Sequence, residues 1–105
     1  MFIIKRLLST NLHPFRKKLL YRSKQRGWLE VDIILGSWAS DNLMNLSNTQ
    51  LVNYEKILNQ DTNDIFDIIV KSKNISNDLD KDLIKNIQNY SHKIDFTKLK
   101  EKLPN

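Results

Sequence analysis

Helical spacing of apolar residues, almost unbroken by glycine or proline, is the feature that most constrains this chain. Leu51, Tyr54 and Leu58 recur at steps of three and four, as do Leu79, Leu83, Ile87 and Tyr90, which places each set on one face of an α-helix. Only two glycines and two prolines punctuate 105 residues. A sandwich of short strands needs far more turn residues than that. A chain of this length makes one domain at most, and 40% hydrophobic content with two tryptophans suffices for a small core. The expectation is an all-α fold, a small five-helix bundle with short connections, preceded by a presequence.

The start signals divide the bundle. The first helix runs from about Arg16 to Gln25, with Leu19 and Leu20 inward. A second runs from about Trp28 to Leu43; its apolar residues Leu29, Val31, Ile33, Ile34, Leu35 and Trp38 cover more than one stripe, so it should be central. The third opens at "SNTQ", where Ser47 caps the backbone and Gln50 reaches back as the third residue of a capping box. The fourth opens at "DTND", with Asp61 as cap and Asp64 favoured by the positive helix end, before Ile65, Phe66, Ile68 and Ile69. The fifth opens within "SNDLDKD", where acids crowd the first turn. Leu29, Ile33, Trp38, Asp61, Asp64 and Phe66 are thus the expected structural residues, with Phe66 inserted between helices two and four. A polar tail, residues 93–105, follows.

Charge is segregated along the chain. Residues 1–29 hold eight Lys or Arg and no acid, a net +8, while residues 30–105 set nine lysines against all twelve acids, a net −3. The overall +5 is therefore no nucleic-acid footprint of the whole domain. Without cysteine there is no disulfide framework, thiolate nucleophile or sulfur-based zinc site. His13 and His92 lack helical i, i+4 spacing and carboxylate company, so no metal site is expected. No stretch approaches the roughly 18 consecutive apolar residues of a membrane span.

The segment "MFIIKRLLSTNLHPF" accounts for part of the basic block. Ile3, Ile4, Leu7 and Leu8 share one helical face, Lys5 and Arg6 lie opposite, Ser and Thr follow, and acids are absent: the pattern of a mitochondrial presequence. An ordinary amphipathic first helix is the alternative. Pro14 ends the segment either way, because it lacks an N–H and disfavours helix at the residue before it. Residues 1–16 are assigned to the presequence and residues 17–92 to the helical domain.

At the joint of helices one and two stands "YRSKQRGWLEVD". Gly27 can take the left-handed backbone conformation that ends the first helix, where a residue with a side chain costs roughly 1–2 kcal/mol. Arg22 and Arg26, at i and i+4, would project from one face, with Glu30 and Asp32 starting the next helix. A bare glycine among them leaves a low spot for another protein's backbone, and Trp28 beside it is a residue type enriched in interface hot spots. The bland alternative is a tight joint ringed by solvated charges that contribute little.

These residues resemble the signature of the succinate dehydrogenase assembly factor 2 family, whose bacterial relatives are the SdhE-type FAD assembly factors. The family's Arg-Gly-x-x-Glu core is matched by Arg26, Gly27 and Glu30, with Asp32 following as expected. A second match, "DTNDIFDII", places Asp64, Ile65 and Phe66 on the family's Asp-[Leu/Ile]-Phe in the fourth helix. The matches span about residues 19–70. Gly36, which interrupts the second helix, and the Asn- and Lys-rich fifth helix depart from the pattern.

The resemblance implies an assembly chaperone rather than an enzyme. Its partner is the flavoprotein subunit of succinate dehydrogenase, and its effect is to promote covalent attachment of FAD to a client histidine in the mitochondrial matrix. It implies no cofactor of its own and no catalytic residue; the implied partner-binding residues are Arg22, Arg26, Gly27, Trp28, Glu30 and Asp32, in a protein that is a monomer when free. Two other readings of the sequence stay open: a non-catalytic structural subunit of a respiratory complex, and a basic helix, residues 16–26, held against RNA.

Overall fold

The computed structural model describes residues 13–73 and 78–94 of the chain. Five α-helices are present among them, α1 (Pro14–Lys24), α2 (Leu29–Asn42), α3 (Asn48–Leu58), α4 (Thr62–Ile69) and α5 (Lys81–His92), with a 3-10 turn, Leu43–Asn45, between α2 and α3. The described residues contain no strand, so the all-α expectation holds.

Pro14 begins α1 instead of merely closing what precedes it. Proline suits the first helical position because its missing N–H would have no intrahelical partner and its φ is already helical. His13 caps the turn, its Nδ1 accepting from the Phe15 N–H at 3.1 Å. The helix therefore starts inside the stretch assigned to the presequence, whose residues 1–12 lie outside the described residues. Arg16 belongs to the folded unit too: its guanidinium donates to the carbonyls of Leu43 at 3.0 Å and Leu46 at 2.9 Å, tying α1 to the 3-10 turn.

Ser47 and Gln50 form the expected capping box on α3, with Ser47 Oγ accepting from the Gln50 N–H and Gln50 Oε1 accepting from the Ser47 N–H. At α5, Asp80 is the cap, its Oδ1 accepting from the backbone of Asp82 and Leu83; part of the preceding segment, residues 74–77, lies outside the described residues. At α4, Asp61 stands in the capping position but makes no side-chain capping bond, and both Asp61 and Asp64 are exposed. Their role there is confined to favourable charge near a helix N-terminus.

The core gathers Leu19 and Leu20 of α1, Val31, Ile34, Leu35, Trp38 and Ala39 of α2, Leu51, Tyr54, Ile57 and Leu58 of α3, Ile65 and Ile69 of α4, and Leu83, Ile84 and Ile87 of α5. Trp38 is fully buried, 5.0 Å from the Tyr54 ring, and donates its Nε1–H to Asn86 Oδ1 at 3.0 Å. The central position of α2 is confirmed: it packs on α1, α4 and α5.

Several expected core positions move outward. Leu29 is 47% exposed and Ile33 only partly buried. A helix apolar on most of its circumference does not by itself say which face turns inward, and here Val31, Ile34, Leu35 and Trp38 take that place, leaving Leu29 at the open first turn. Phe66 is only partly buried: it packs on the core margin, facing Val31, Ile34 and Leu35 of α2 across a small apolar cavity. Gly36 does not interrupt α2 either. It lies inside the helix where α1 crosses, and a Cβ there would stand 3.2 Å from Lys24 Cγ and 3.6 Å from Lys24 Cα. Close helix approach is the reason for that glycine. At the other end Ile94, assigned to the polar tail, packs on the core; residues 95–105 lie outside the described residues.

Candidate functional site at the α1–α2 connection

α1 ends at Lys24, with Gln25 as its C-cap, so Gly27 turns the connection and does not terminate the helix. Its φ of +87° is the left-handed value that a side chain resists, and an ideal Cβ there would have no atom within 4 Å other than those of its chain neighbours. The backbone conformation demands glycine; crowding does not.

Arg26 sets the shape of this connection. Its N–H donates to Asp32 Oδ1 at 2.6 Å, which binds the connection to the first turn of α2. Its guanidinium crosses to α3, where Nη1 donates to the Leu58 carbonyl and Nη2 to the Gln60 carbonyl, each at 2.8 Å. Those carbonyls face the negative end of α3, so a cation is favoured there by the helix dipole as well as by two charge-assisted hydrogen bonds. Nε is buried without a partner. Burial, and then repulsion from Arg22, lower the Arg26 pKa; Tyr54, Asp32 and Asp61 act in the opposite direction.

Arg22, on α1, reaches the same end of α3 by a different route. Its Nη2 donates to Asn59 Oδ1 at 2.9 Å and its Nη1 lies 3.9 Å from Glu55. Beneath both arginines, Tyr54 and Ser23 form a buried pair with Oη and Oγ 2.6 Å apart. Ser23 gives its own proton to the Leu19 carbonyl at 2.7 Å, which leaves Tyr54 as the donor between them. Burial pushes the Tyr54 phenol well above its usual range.

Trp28 lies beside Gly27, its ring stacked on Phe66 with centroids 4.3 Å apart and planes 14° from parallel. Its Nε1–H donates to Glu30 Oε2 at 2.7 Å. Lys71 Nζ stands 5.8 Å from the Phe66 centroid. The stack joins the two stretches singled out in the sequence, one at the start of α2 and the other in α4.

All six expected partner-binding residues, Arg22, Arg26, Gly27, Trp28, Glu30 and Asp32, therefore meet at one end of the bundle, joined by Phe66. Trp38 and Ile33 lie farther along α2. Arg26 does not share a helix face with Arg22 as its i+4 spacing suggested, because α1 stops before it. Unforeseen were Leu58, Asn59 and Gln60, which receive the two arginines. Leu58 and Gln60 accept through backbone carbonyls, which carry no residue-type signal, and all three pairings, including that to Asn59 Oδ1, span more than thirty positions of chain. No group of three or more metal-ligating side chains occurs among the described residues. Nor is any of the described helices long and apolar enough to cross a membrane.

Comparison with known proteins places this sequence in a family. The family model described as "Flavinator of succinate dehydrogenase" matches residues 17–91. A Dictyostelium discoideum protein named succinate dehydrogenase assembly factor 2, mitochondrial, is 38% identical over 81 residues, covering 77% of this chain and 57% of its own length. Proteins of the same name from Caenorhabditis briggsae and Arabidopsis thaliana are 50% identical over 44 residues and 39% over 49, covering 42% and 47% of this chain and 36% and 26% of their own lengths. The chain thus spans little more than half, or less, of these relatives. No solved structure matches it. The matched segment runs from the fourth residue of α1 to the last turn of α5 and contains the whole connection around Gly27, and the chain belongs to the family of succinate dehydrogenase flavinators, the succinate dehydrogenase assembly factors.

Proposed function

We propose that the protein is a non-enzymatic assembly factor that binds the flavoprotein subunit of succinate dehydrogenase through the α1–α2 connection and promotes covalent FAD attachment to it. The observation that carries this reading is the open backbone at Gly27: a left-handed glycine whose absent side chain has, beyond its chain neighbours, no atom within 4 Å, with Trp28 and Glu30 close by. A partner's backbone can approach there more closely than at any residue bearing a Cβ. Trp28, held by both its stacking and its hydrogen bond, offers a contact that loses little freedom on binding.

On this reading FAD is held by the client and reacts there, with a client histidine forming the bond to the flavin. The factor contributes by orienting the client's parts, an effect that can lower a barrier by several kcal/mol. The protein acts in the mitochondrial matrix after removal of a leader that ends before the α1 cap at His13, since Pro14 and Arg16 belong to the folded unit, and it is a monomer when free. A protein partner is favoured over nucleic acid by the arginines of the basic helix: Arg16 and Arg26 bond backbone carbonyls, and Arg22 bonds Asn59.

Deleting the protein tests the function. The flavoprotein band on a denaturing gel should lose its covalent flavin fluorescence and regain it on re-expression. A normal band in the deletion overturns the proposal.

A further inference from the structure

Charge in a docking motif invites the assumption that each charged residue reads the partner, and for Arg26 the geometry points elsewhere. We infer that Arg26 is a positioning residue: it latches the Gly27 connection onto the C-terminal end of α3 and governs client association by holding that connection in its docking shape, without touching the client. The inference rests on the reading of this connection as the docking surface.

Three observations carry it. Both terminal nitrogens of the guanidinium are engaged inside the protein, on the Leu58 and Gln60 carbonyls, and Nε is buried. Two N–H groups, one on each terminal nitrogen, are thus bound to main-chain carbonyls at the end of α3, which fixes the plane and direction of the fork. The main-chain N–H of the same residue is held by Asp32, so Arg26 is fixed to α2 through its backbone and to α3 through its side chain. Gly27 comes next in the chain, and nothing packs against the place where its side chain would be. Glycine is the residue type with the most backbone freedom to lose. The connection accordingly keeps its left-handed turn because the residue before it is clamped and Trp28 after it is stacked on Phe66. Release of the clamp opens other conformations to Gly27, and a partner that fits one shape then binds only the fraction of molecules holding it.

This division of labour has a kinetic signature. A residue buried in the contact acts mainly on dissociation when it is truncated, and a charge that only steers the encounter slows association without altering exchange in the free protein. A latch acts on the population competent to associate, and leaves the contacts of the finished complex intact.

The experiment uses the full chain as wild type and as Arg26→Gln and Arg26→Lys, with Ile87→Val, in α5, as a destabilised control outside the connection. Association and dissociation rates with the purified apo-flavoprotein subunit are measured together with amide hydrogen exchange at residue 26, corrected for intrinsic rates. Expected for Arg26→Gln is a tenfold or greater fall in the association rate, a dissociation rate within twofold of wild type, and exchange at residue 26 accelerated by a similar factor. Lysine, which lacks the planar fork, should restore only part of each effect, and the control should alter neither rate while it remains folded. A faster dissociation with unchanged exchange at residue 26 would make Arg26 a direct contact and overturn the inference. So would a control that matches the glutamine variant, which would reduce the effect to general destabilisation. The exchange measurement needs no client: accelerated exchange in a protein whose wild type fails to bind would sink the docking reading and leave the latch standing.

Discussion

Gly27→Ala and Gly27→Glu share one backbone penalty and differ only in what projects beyond Cβ. At φ +87° a residue with a side chain costs about 1–2 kcal/mol relative to glycine. No steric surcharge is added, because an ideal Cβ meets nothing within 4 Å. For a domain of this size, 1 kcal/mol corresponds to roughly 4–8 °C in melting temperature. Both variants should therefore melt about 5–15 °C below wild type, agree with each other to within about 0.5 kcal/mol, and remain mostly folded at 25 °C. Client binding should separate them. Alanine adds one methyl to an open surface, whereas glutamate fills the space the partner's backbone needs and places a second acid near Glu30. Circular dichroism melting and pull-down of the flavoprotein subunit, performed on both, read the two effects independently. Equal melting with binding lost only in Gly27→Glu is the expected result. Wild-type binding by Gly27→Glu would refute the docking role of the connection, and a loss in Gly27→Ala well beyond 2 kcal/mol would refute the claim that backbone conformation alone requires the glycine.

Other perturbations bear on the frame that carries the site. Phe66→Ala removes a partly buried ring at the margin of the core, so it should cost about 2 kcal/mol and change Trp28 fluorescence, whereas Ile84→Ala at a fully buried site should cost about 2–5 kcal/mol without that change. Ser72 has φ +54°, and Ser72→Gly should raise stability by up to about 1 kcal/mol in denaturant melts; lower stability would show that its side chain matters more than its strain. Tyr54 stays protonated in the fold at pH values where an unfolded tyrosine has lost its proton, so the unfolded state binds fewer protons and stability should fall as pH rises through about 10. Tyr54→Phe should flatten that alkaline decline while costing about 1 kcal/mol at neutral pH through loss of the bond to Ser23.

What the sequence determined was whatever is settled within one or two helical turns. Ser47 and Gln50 cap α3 through reciprocal bonds between residues three apart, and such a signal is complete in the stretch that contains it. The inward stripes of α3 and α5 follow equally from spacing, because a stripe narrower than the helix has only one way to be buried. The same holds for the left-handed turn at Gly27, a local need that only glycine meets cheaply. Tertiary structure decided the rest. On α2, apolar residues on several faces left the inward direction open, and packing against α1, α4 and α5 selected Val31, Ile34, Leu35 and Trp38 while leaving Leu29 exposed. The side chain of Arg26 turned to carbonyls 32 and 34 positions away, and Trp28 found its stacking partner in Phe66, contacts that join stretches unrelated in local pattern. A charged or aromatic residue announces that it will find a partner; only the meeting of helix ends in space determines whether that partner lies within the chain or beyond it.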